Sequence, residues 1–143
     1  MTAASNDIVD LFASMRNCVR QYEQTGDCAF LGQVETEFQE FAQLVTLFLV
    51  SERDSYYGYF LMAMSFRVDF ASRSIAGIRL DRYPPVFETN PLLLLRFSLK
   101  EILFIFCHEV DHVVFNHPAE MVSSNPGRDP RLFELFIMRR THR

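Results

Sequence analysis

The chain has 143 residues, of which 49% are hydrophobic and 22% charged, the balance of one globular domain with enough apolar side chain for a real core. Its net charge is −4, with no Lys/Arg-rich run ahead of the C-terminus, which argues against nucleic acid as the main partner. Cys18, Cys28 and Cys107 lack disulfide or metal-ligand spacing, as expected of a reducing cytoplasm. The polar N-terminus does not read as a signal peptide, Arg96, Lys100 and Glu101 interrupt the apolar stretch 92–106, and the run that Gln43 opens ends already at Val50, so no segment of bilayer length and no membrane are expected.

Helical spacing of Ile8, Leu11, Phe12, Met15, Val19 and Tyr22 predicts a first helix from Asp7 to about Gln24, ended by Thr25-Gly26. A second is expected from near Ala29 to Glu52, with Phe30, Leu31, Val34, Phe38, Phe41, Leu44, Val45, Phe48 and Leu49 on its packed side. Glu35, Glu37 and Glu40 fall on its solvated face. Tyr56 to Phe66 reads as a short third helix, whose Tyr57, Phe60, Leu61 and Met64 form a core stripe. From Ser74 to Asp81 the pattern becomes a short alternation and predicts a strand, stopped by Tyr83-Pro84-Pro85. Val86-Phe87-Glu88 is a second extended piece, and Asn90-Pro91 is a turn. The expected class is therefore α+β: a helix-rich N-terminal half, then a short strand pair packed on one further helix.

That last helix carries the chemistry. Ser98-Leu99-Lys100-Glu101 fits a capping box, and an almost wholly apolar run follows through Val114, the mark of a buried helix. Within it stands His108-Glu109-Val110-Asp111-His112, an H-E-x-x-H motif. Four residues apart on a helix, His108 and His112 project from one face and can share a metal ion. Two neutral nitrogen ligands beside a carboxylate base suit a catalytic zinc, with Glu109 as proton acceptor. The plainer reading is a core helix whose histidines hydrogen-bond to neighbours, although a buried Glu109 would then need its own explanation.

The stretch from about Tyr57 to Phe136 resembles the metallopeptidase domain that commonly precedes a von Willebrand factor A-like domain in bacterial proteins. The carrying segments are Ser74-Ile75-Ala76-Gly77-Ile78, Thr89-Asn90-Pro91, Ser98-Leu99-Lys100-Glu101, His108-Glu109-Val110-Asp111-His112, His117-Pro118 and Arg128-Asp129-Pro130-Arg131-Leu132-Phe133. The resemblance implies a zincin-like fold, zinc on His108 and His112, Glu109 as general base, a peptide or protein substrate, and an AAA-type ATPase as partner. It divides the chain into an N-terminal helical part (1–55), a metallopeptidase-like core (56–136) and an aberrant or truncated tail (137–143).

Two departures follow. After Leu132-Phe133 the family continues into an Ala-x-Asp segment with a candidate ligand, whereas here Met138-Arg139-Arg140-Thr141-His142-Arg143 closes the sequence. No Asp-x-Ser-x-Ser signature of a von Willebrand-type domain occurs either. Read one base earlier, codons for that tail can spell Ala-x-Asp, so a frameshift near codon 136 and a naturally short paralogue are both open origins. The third ligand is open as well. His117 follows His112 by five residues and can ligate only if the helix breaks around Phe115-Asn116; otherwise it is a helix-end histidine near the last carbonyls. His142 is the weaker alternative.

Three functions compete: a zinc metallopeptidase, a non-catalytic scaffold or pseudoenzyme left by truncation, and a peptide deformylase-like hydrolase. The last looks like the His-Glu-Val-Asp-His helix of deformylases, but the Glu-Gly-Cys ligand segment of those enzymes is missing, since Cys28 lies in Gly-Asp-Cys-Ala.

Overall fold

The computed structural model describes residues 3–53 and 55–115. Two long helices lead: α1, Ala3–Thr25, and α2, Ala29–Phe48. Gly26 ends α1 with φ of 72°, a left-handed conformation that costs glycine little, while its N–H donates to the Tyr22 carbonyl at 2.7 Å. The side chain of Asp27 accepts from Ala29 N at 3.0 Å and so helps to start α2. With so short a connection the two helices fold back on each other and bury Ile8, Met15, Cys18, Val34, Phe38 and Phe41 in a common core.

The second helix does not run regularly to Glu52. It widens into a π-helical turn, Leu49–Arg53, before α3, Ser55–Met62. Gly58 of α3 lies so close to that turn that a Cβ there would sit 2.6 Å from Val50 N and 2.9 Å from Val50 Cα. Only hydrogen fits, which makes Gly58 the contact that lets α3 double back.

Three strands follow, where sequence patterning anticipates a pair. Residues 65 and 66, expected to finish the third helix, instead open β1, Ser65–Val68; β2 is Ala76–Arg79 and β3 is Val86–Thr89. The sheet order is β1-β3-β2, with β1 parallel and β2 antiparallel to the central β3. Phe66 defeats the helical reading because its register partner is Phe87 and the two rings lie 5.3 Å apart. A nonlocal aromatic pair outweighs a weak local preference. Phe66, Phe87 and Ile78 thus form one row across the strands, and Arg67, Glu88 and Gly77 form the row on the other face.

Two helices complete the order: a single turn, α4, Pro91–Leu94, and the motif helix α5, Leu99–Val114. Asn90 is more than the expected turn residue. Only 4% exposed, it accepts from Leu92 N at 2.9 Å and donates through Nδ2 to the carbonyls of Phe70 and Ser72, at 3.1 and 2.8 Å. Thr89 Oγ1 donates to the Ile75 carbonyl beside it. The Thr89-Asn90-Pro91 segment therefore ties the β1–β2 connection to the start of the last helical region.

The α+β class and the helix-rich first half are as expected. Among the described residues no helix is long and apolar enough to cross a membrane.

Candidate metal centre

The phase of α5 is set at both ends. At its start, Ser98 Oγ accepts from Glu101 N at 3.2 Å and Glu101 Oε1 accepts from Ser98 N at 2.9 Å, completing the expected capping box. At its end, Phe115 N donates to the Asp111 carbonyl at 2.9 Å. Between them Phe106 locks the helix to the rest of the molecule. It is fully buried and meets Phe87 at 4.7 Å, Phe66 at 6.1 Å, Phe41 at 6.4 Å and Phe38 at 6.5 Å between ring centroids. One side chain thereby joins α5 to both the sheet and α2.

With that anchor in place, the residues one turn on have defined positions. Phe104, His108 and His112 form an i, i+4, i+8 stripe. The rings of Phe104 and His108 lie 5.5 Å apart, and those of His108 and His112 lie 4.7 Å apart at 78°. His112 is 6% exposed and His108 is half-buried. Two imidazole nitrogens on one tetrahedral zinc are about 3.3 Å apart, given Zn–N lengths of ~2.0–2.1 Å. A ring separation of 4.7 Å is compatible with that arrangement.

Glu109 lies between the histidines in sequence, and burial pushes its carboxyl up to about 8. Desolvation disfavours the carboxylate, and a dication alongside would act in the opposite sense. The donor set therefore fits zinc in kind: two histidines at helical spacing and a carboxyl that a neighbouring positive charge would help to ionise.

Asp111 has a partner that sequence patterning did not anticipate. Tyr57 Oη donates to Asp111 Oδ1 at 2.9 Å, linking α3 to the motif helix across 54 residues of chain. Sequence patterning placed Tyr57 in a core stripe, and nothing local distinguishes a tyrosine that packs from one that also donates. Cys107, next to His108, is half-buried.

Among the described residues no group of three or more His, Cys, Asp or Glu side chains is arranged to hold a metal. His108 and His112 supply two ligands. The third-ligand candidates His117 and His142, together with Asp129 and the 137–143 tail, lie outside the described residues. Comparison with known proteins adds nothing to this site: no family model, curated protein or solved structure matches the chain.

Proposed function

We propose that the chain is a zinc-dependent peptide hydrolase of zincin-like architecture. The observation that carries this reading is the juxtaposition of His108 and His112, rings 4.7 Å apart on a capped and firmly packed helix, with Glu109 between them. The sheet supports it. The strand β2 is an edge strand antiparallel to β3 and lies against α5, so it can present an extended peptide to the motif by strand addition.

His108 and His112 would hold the ion. Zinc, when bound, supplies Lewis acidity toward a peptide carbonyl and lowers the pKa of water. Glu109 would be the carboxyl placed to hold the proton, as base toward water and then as acid toward the departing amine. Packing by Phe106 and the capping box keep the side chains of α5 in register, which spares the reaction the cost of ordering them. By the resemblance, an AAA-type ATPase is the partner of such a domain.

Metal analysis of purified protein tests the reading. About one zinc per chain is expected, and none in a His108→Ala/His112→Ala double variant. Glu109→Gln is expected to retain zinc and fold while abolishing peptide hydrolysis. Equal zinc in the double variant removes the site; zinc without hydrolysis in the wild type leaves a non-catalytic module.

A further inference from the structure

A second feature shares no residue with the histidine pair. A pocket of about 210 Å³ opens between α1 and the segment formed by α4 and the turn after it, lined by Arg16, Val19, Arg20 and Glu23 from the first and Leu92, Leu95 and Arg96 from the second. Its floor is apolar: Val19 is 8% exposed and Leu95 5%. Its wall is positive and held in place. Arg16 donates from Nε to the Leu95 carbonyl at 2.9 Å and from Nη2 to the Phe97 carbonyl at 3.1 Å, with its guanidinium 4.5 Å from the centre of the Phe12 ring. Those bonds use two of its five N–H groups.

Arg20 and Arg96 are exposed at the pocket. Among the described residues neither has a carboxylate within ion-pair distance. Three arginines therefore face one acid in a chain whose overall charge is −4. Positive charge collected against that background, in a concave site with an apolar floor, selects an anion with an apolar part.

We propose that this pocket binds a small monocarboxylate carrying a short apolar stem. Arg20 and Arg96 grip the carboxylate, for which planar guanidinium groups are suited; Val19, Leu92 and Leu95 take the stem. The volume equals roughly seven waters at ~30 Å³ each, room for an acid of about six carbons. Glu23 gives the site its selectivity, because its charge opposes a dianion more strongly than a monoanion. The apolar floor in turn offers nothing to a phosphate. A free short-chain acid and the C-terminus of a peptide ending in leucine share this chemistry.

The test is a titration of the whole chain at low ionic strength, followed by amide chemical shifts. Hexanoate and N-acetyl-Ala-Leu serve as probes and inorganic phosphate as the control. Saturable shifts are expected at residues 16–23 and 92–97. Arg20→Gln and Arg96→Gln are each expected to weaken binding about tenfold without altering the melting temperature, since both side chains are exposed. Tighter binding of the peptide assigns a peptide C-terminus; tighter binding of hexanoate assigns a free acid. Failure of both probes to saturate, phosphate binding as tightly as either, or variants that bind like the wild type would each overturn the proposal. Zinc content plays no part in this measurement, so its outcome is separable from that of the hydrolase reading.

Discussion

Replacing Phe106 with alanine tests whether the motif helix is held by the aromatic cluster. The ring is wholly buried and lies within 6.5 Å of four other phenylalanine rings, drawn from α2, β1 and β3. Truncation removes apolar area from contact on several sides and leaves a cavity that rigid neighbours cannot close. The expected cost is about 3–5 kcal/mol. Against a total stability on the order of 5–15 kcal/mol, that is a large fraction. Urea unfolding measures it: at a slope of roughly 1–3 kcal/mol per molar, the midpoint falls by about 2 M with the slope unchanged. Phe106→Leu, which keeps most of the volume, is expected to cost less than about 1.5 kcal/mol. A loss below ~1 kcal/mol for the alanine variant would refute the cluster as the anchor of α5, and with it the reason for the positions of His108 and His112.

Gly58→Ala is expected to cost about 1–3 kcal/mol in the same assay, because the new methyl meets the backbone N and Cα of Val50 as well as its Cγ2, and turning the Val50 side chain aside would relieve only the last of these; a neutral result would show that α3 shifts freely. Tyr57→Phe removes the donor to Asp111 and is expected to cost roughly 1 kcal/mol. The double variant with Asp111→Asn tests the pairing, since two independent sites would give additive losses.

Legibility from the sequence varied with the range of the forces involved. The capping box at Ser98 and Glu101, the glycine stop at Gly26 and the helical spacing of His108 and His112 depend on groups within four residues of one another, and the structure has each of them. Residues 65 and 66 fit the end of a helical pattern yet form strand, because that conformation depends on β3, some twenty residues away in sequence. The Leu49–Arg53 π-turn likewise has no local signature; it occurs where α3 folds back with Gly58 against Val50.

The sequence by itself determined that an amphipathic α+β chain would bury a helix bearing two histidines and a glutamate on neighbouring positions, because helical periodicity and capping are short-range. Only the tertiary structure decided what surrounds that helix and which other distant segments meet. The Phe106 cluster, the Tyr57–Asp111 bond and the arginine-lined pocket each join residues more than thirty apart in the chain. Contacts of that span form when packing brings distant segments together, and local propensity carries no record of which segments will meet.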